Sequence, residues 1–140
     1  MKTTTIWKHD MAFESEFDGH KIELNGASGE DGRRLAFGPK ALLLAGLAGC
    51  SGIDVVEILK KMKVPFSKLE ISTETTQTDE LPKVFKDIHI VFAVDTTPEY
   101  EDKVKRAVNL SLERYCGVSA MLRKNSEIIP KVVLIDRVAV

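Results

Sequence analysis

Apolar and polar positions alternate with period two through the first part of the chain. Thr3 to Lys8 is rich in β formers, and Met11, Phe13, Ser15 and Phe17 then alternate with Ala12, Glu14 and Glu16. Asp18-Gly19 is a hairpin turn signal, after which Ile22 and Leu24 alternate. A short antiparallel meander is predicted, followed by a loop at Gly26 to Gly32. The period changes at Pro39. From Pro39 to Met62 the pattern is that of one long helix, with Gly38 before it and Pro favoured at the first helical position. Taking about 100° per residue, one face holds Ala41, Ala45, Ala48, Gly52 and Leu59, with Val55 and Val56 beside it. The other holds Leu43, Leu47, Cys50, Asp54 and Glu57. A helix apolar on both faces over its first half is expected to be central and covered on both sides. Gly46, Gly49 and Gly52 each cost about 1 kcal/mol relative to Ala in a helix interior. Three of them in one stretch call for a close neighbour or a bend.

Val64-Pro65 stops this helix, and period two returns. Leu69, Ile71, Thr73 and Thr75 line one side of a strand, and Ile88, Ile90, Phe92 and Val94 one side of the next. With Thr78 to Lys83 as the connection they read as an antiparallel hairpin with one buried face. Thr97-Pro98 opens a second helix, Thr97 as N-cap. Tyr100, Val104, Ala107, Val108, Ser111 and Tyr115 share a face of it. It ends near Tyr115, with Cys116-Gly117 as its exit, then a short helix over Val118 to Lys124 and a last strand, opened by Pro130, over Lys131 to Val138. The order β-β-β-α-β-β-α-α-β mixes helices and strands without alternating them, which is an α+β fold.

Composition narrows the chemistry. The 140 residues are 44% hydrophobic and 29% charged, as expected for one globular domain spanning 1–140. Lys+Arg number 20 and Asp+Glu 21, with no basic block, so neither nucleic acid nor an anionic membrane is the expected partner. The N-terminus has no apolar signal region, and the uncharged apolar run Ala41 to Ile53 is short for a bilayer span, so a cytoplasmic location is expected. His9, His20 and His89 share no metal-ligand spacing with each other or with a cysteine. The glycine-rich loop lacks both a Gly-Lys-Ser/Thr ending and the GxGxxG order. No metal or cofactor is expected. What remains is the two cysteines, Cys50 in the middle of the long helix and Cys116 at the exit of the second. In a reducing compartment they are either redox-active thiols or small buried side chains.

The segments GPKALLLAGLAGC, ending on Cys50, and ERYCGVSAML, containing Cys116, resemble the OsmC/Ohr family of small cysteine-based peroxide-reducing proteins. The segment order extends the resemblance over nearly the whole chain. It implies an intertwined homodimer with the Cys-bearing helices central and two sites at the subunit interface. It implies that Cys50 is the peroxidatic residue and Cys116 the resolving one, the catalytic pair for organic hydroperoxides, with a separate dithiol as reductant. Active relatives hold the thiolate with an Arg near the N-terminal strands, oriented by a Glu ten residues before the first Cys. Here that position is Lys40, no Arg precedes Arg33, and Gly117 follows the second Cys where Pro is usual. The chain resembles a divergent branch of the family. Lys40 lies about 15 Å from Cys50 along a straight helix, out of reach within one subunit. Lys8, Arg33, Arg34 and Arg114 are further candidate cations. Asp54, one turn beyond Cys50, would oppose ionisation of the thiol if charged and unpaired. A second reading therefore stays open: a non-catalytic dimer that binds a small apolar or acyl ligand, or a redox sensor.

Overall fold

A computed structural model describes residues 1–135. The chain divides into two compact units, Met1–Leu43 and Leu44–Val140. The first is the meander: β1 (Thr4–His9), β2 (Ala12–Phe17) and β3 (His20–Asn25), antiparallel in that order. The Asp18-Gly19 turn has φ of 47° and 79° at its two central residues, the type I′ geometry that matches strand twist. Facing residues in the ladder share a side, so Trp7, Phe13 and Leu24 stand on one face with Phe17 and Ile22. Among the described residues nothing covers that face, and Trp7 is 61% exposed. The loop after β3 returns to it, the Asn25 N–H donating to the Phe37 carbonyl (3.0 Å).

The long helix, α1, runs Pro39–Lys61, one residue short of the sequence expectation. Its end is a Schellman motif. The Val64 N–H donates to the Leu59 carbonyl (2.9 Å) and the Lys63 N–H to the Lys60 carbonyl (3.1 Å). Lys63 takes φ of 58°, where glycine is the usual residue, and the buried Leu59 and Val64 supply the apolar contact. By length and composition α1 is long and apolar enough to cross a membrane, although its uncharged run is short. One stripe of it, Leu47, Ser51, Gly52, Val55 and Leu59, is buried, as in a core helix.

The second unit is built on a three-stranded sheet. Antiparallel β4 (Leu69–Gln77) and β5 (Phe85–Asp95) are joined by β6 (Ile128–Ile135), which runs parallel to β5, so this sheet is mixed rather than purely antiparallel. β6 begins two residues before Pro130. Pro130 sits within an edge strand, where its missing N–H is tolerated. The expected extension to Val138 lies partly outside the described residues. Ile88, Ile90, Phe92 and Val94 face Leu69, Ile71 and Thr73 on one side and Ile128, Val132 and Leu134 on the other. That face forms one core with Leu47, Val55 and Leu59 of α1 and with Val104, Ala107 and Val108 of α2 (Glu101–Leu110). A Cβ placed at Gly52 would meet Ile71 Cδ1 at 2.7 Å, so this glycine lets the helix lie against β4. At Gly46 and Gly49 an added Cβ meets nothing within 4 Å, and Ile53 is 66% exposed. The double covering expected of the first half of α1 is therefore not supplied by the described residues.

The second helix departs from a regular one at both ends. A 3₁₀ turn, Pro98–Tyr100, precedes α2, and Thr97 holds the N-cap position without a side-chain capping bond. Beyond α2 the chain widens into a π turn, Ser111–Tyr115. The extra residue per turn rotates Tyr115 out of the predicted apolar face, and its side chain is exposed while Ser111 is fully buried. α3 (Gly117–Leu122) follows.

Candidate functional site

The two cysteines lie on different elements of the second unit and come close together. Cys50 sits at the middle of α1, partly buried against the core. Cys116 lies between the π turn and α3 and is 3% exposed. Both are free thiols, and Cys50 lies near enough to Cys116 to act on its titration. A separation of 66 residues in sequence thus becomes proximity in space.

The local backbone explains how Cys116 gets there. In a regular α-helix its N–H would bond to the Leu112 carbonyl. It bonds instead to the Ser111 carbonyl (2.7 Å), closing the π turn. The chain then extends at Cys116 (φ −75°, ψ 106°), and the Cys116 sulfur accepts from the Ser119 N–H (3.3 Å), acting as N-cap of α3.

A polar seam fastens the elements around the sulfurs. The fully buried Ser111 hydroxyl bonds to Asp54 Oδ2 (2.9 Å) and the Ser51 carbonyl (3.2 Å). The Ser51 hydroxyl donates to the Leu47 carbonyl (2.7 Å). Asp54 is thus a partner of Ser111, not the unpaired carboxylate considered from sequence. The buried Ser119 hydroxyl donates to the Leu112 carbonyl (2.8 Å), which also receives Arg123 Nη2. Nothing in the composition separates these serines and Arg123 from ordinary surface polar residues. The one available signal was Ser111 among apolar positions of a helical face.

The two thiols are not equivalent. Burial pushes the Cys116 thiol up from 9.0 to about 11; the Ser119 backbone N–H pulls it down, the neighbouring Cys50 adds to the rise, and the Val118 N–H opposes it least. At pH 7 roughly one Cys116 in ten thousand is ionised, so Cys116 keeps its proton. Of the candidate cations, Arg34 donates to the Gly26 carbonyl (2.8 Å) within the first unit, and Arg114 lies over the Tyr115 ring (5.8 Å). Lys8 and Arg33 are exposed, and Lys40 belongs to the first unit.

Comparison with known proteins decides the family. The family model described as "OsmC-like protein" matches residues 29–131. This chain belongs to the OsmC-like family. It is 34% identical to Protein YhfA of Escherichia coli K12 over 125 residues, 89% of this chain and 90% of that one. It is similar to the crystal structure of a hypothetical protein from Aquifex aeolicus VF5 (TM-score 0.84, 23% identity), covering 97% of this chain and 96% of that one. It is also similar to the organic hydroperoxide resistance protein OhrB of Bacillus subtilis (TM-score 0.64, 22% identity), covering 94% and 96%. The α+β architecture is therefore the OsmC-like fold.

Proposed function

We propose that this OsmC-like protein is a cytoplasmic, homodimeric thiol peroxidase that reduces small organic hydroperoxides through Cys50 and Cys116. The observation that carries the reading is the proximity of a partly accessible Cys50 and a buried, protonated Cys116. The Cys50 thiolate attacks the terminal peroxide oxygen, an S–O bond forms, the O–O bond breaks, and the alkoxide takes a proton from water and leaves as the alcohol. The Cys50 sulfenic acid then condenses with the Cys116 thiol: the S–S bond forms, the S–O bond breaks, and water departs. An external dithiol returns two electrons and restores both thiols. The hydroperoxide resistance in the name of the Bacillus subtilis relative supports the substrate class.

The uncovered apolar faces support the homodimer. Each unit has one: the Trp7 side of the meander, and the Gly49 and Ile53 side of α1. A second copy supplies identical faces and the second covering that α1 lacks. No nucleic acid or membrane partner enters this reading. Stopped-flow oxidation by cumene hydroperoxide tests it. Oxidation is expected to be much faster than that of free cysteine and to vanish in Cys50→Ser. A rate equal to free cysteine, or one that survives the substitution, sinks the reading.

The departure at Lys40 and the apolar groove lined by Ala48, Gly52, Ile53, Val56 and Ile71 favour a second reading. In it the dimer binds a small apolar or acyl ligand, or senses redox state, without turning over peroxide. Native mass spectrometry showing a stoichiometric co-purified ligand, together with absent turnover, selects it.

A further inference from the structure

The π turn that closes on Cys116 leaves a backbone group in need of a partner. Because the Cys116 N–H goes to Ser111, the Leu112 carbonyl loses the donor it would have in a regular helix. Two side chains from α3 and its end replace that donor. The Ser119 hydroxyl reaches the Leu112 carbonyl at 2.8 Å, and Arg123 Nη2 reaches the same oxygen and the Ser119 hydroxyl (3.2 Å). The backbone N–H of the same Ser119 holds the Cys116 sulfur. Leu112 and Ser119 are buried, so the bond between them is shielded from water and expensive to lose, while Arg123 is an exposed residue whose bonds to the carbonyl and the hydroxyl are partly shielded.

From this arrangement we infer that Ser119 and Arg123 are positioning residues for Cys116, and that Arg123 fixes the π turn in the form that presents the resolving sulfur to Cys50. Neither residue touches the reacting sulfur with its side chain. Arg123 acts on the Leu112 carbonyl and on Ser119, and they set where Cys116 stands. A guanidinium suits this because two acceptors, the carbonyl and the hydroxyl, lie within reach of one nitrogen. The proposal rests on the peroxidase reading and concerns its second half, the condensation of Cys116 with the Cys50 sulfenic acid. Attack on the peroxide by Cys50 does not involve it. The two steps therefore respond differently to substitution.

The experiment compares the intact protein with Arg123→Met, Arg123→Lys and Ser119→Ala. Each is mixed with one equivalent of cumene hydroperoxide, and Cys50 sulfenic acid is trapped with dimedone and measured by mass spectrometry. In Arg123→Met the disulfide is expected to form about tenfold more slowly, one lost hydrogen bond to a charged group, with dimedone adducts accumulating on Cys50 and the first step unchanged. Arg123→Lys, which keeps a cationic donor, is expected between the two. Ser119→Ala, which keeps the backbone N–H to the sulfur, should slow the same step less than Arg123→Met. Equal disulfide rates in all four proteins overturn the inference. So does a loss that falls equally on both steps, which marks a general effect on folding. If Arg123→Met does not fold, Arg123→Lys and Ser119→Ala still decide the question. The equilibrium of the pair with dithiothreitol gives a peroxide-independent readout. Arg123→Lys and Arg123→Met are expected to make the disulfide easier to reduce, by up to tenfold or about 30 mV, and an unchanged potential overturns the inference. A wild-type protein that shows this equilibrium but no peroxide oxidation removes the peroxidase reading and leaves the positioning role standing.

Discussion

Cys116 gives the most quantitative consequence of the site. Its thiol is raised from 9.0 to about 11, chiefly by burial, with the neighbouring Cys50 adding to the rise. At pH 10 a thiol titrating near 11 is roughly one tenth ionised, whereas one at 9.0 is roughly nine tenths ionised. That difference is read directly from the carbon-13 shift of the Cys116 Cβ in cysteine-labelled, fully reduced protein. Substituting Cys50→Ala removes the contribution of Cys50 and leaves burial, the largest cause. The Cys116 midpoint is expected to fall from about 11 but to stay above 9.0. The linkage has a definite sign. Between pH 9.0 and 11 the folded state holds a proton that the unfolded chain has lost, so stability falls as pH rises through that window and is unaffected by this group below it. A wild-type midpoint at or below 9.0 refutes the argument, as does a midpoint that Cys50→Ala leaves unmoved.

Further outcomes test other parts of the account. Ser111→Ala removes the bonds to Asp54 and to the Ser51 carbonyl in a fully buried position, and the unfolding free energy from urea titration is expected to drop by about 2 kcal/mol. An unchanged midpoint means that the seam between α1 and the π turn adds no stability. Ile53→Asp places a charge on the uncovered face of α1, and light scattering is expected to show a dimer for the wild type and a monomer for the variant. A dimer of unchanged affinity places that face outside the interface.

Much of the fold could be read from the period of the apolar positions. The change from period two to a helical pattern at Pro39, and back again at Val64-Pro65, marked α1 to within a residue of its end. The Asp18-Gly19 turn fixed the meander, because only a short list of residues accepts positive φ. The two cysteines were legible as candidates because they stood in a recognisable context and nothing else offered chemistry. What the pattern did not carry was the π turn. One extra residue in a helical turn leaves hydrophobicity almost unchanged, yet it rotates Tyr115 to the surface and swings Cys116 onto a new heading. The serines and Arg123 were hidden for the same reason. Ser51, Ser111 and Ser119 bond to backbone carbonyls, and a sequence does not say that the Leu112 carbonyl, the partner of Ser119, has lost its helical donor. The parallel placing of β6 was also invisible, since Ile128 to Ile135 alternates equally well in either direction.

Peptide mapping after oxidation tests the central claim most directly. One equivalent of cumene hydroperoxide is added to the reduced protein, free thiols are blocked, and the digest is analysed by mass spectrometry. The account predicts a single intramolecular Cys50–Cys116 disulfide, absent from Cys50→Ser and from Cys116→Ala, with dimedone-reactive Cys50 in the latter. Cys50 overoxidised to sulfinic acid beside an untouched Cys116 in the wild type would contradict it.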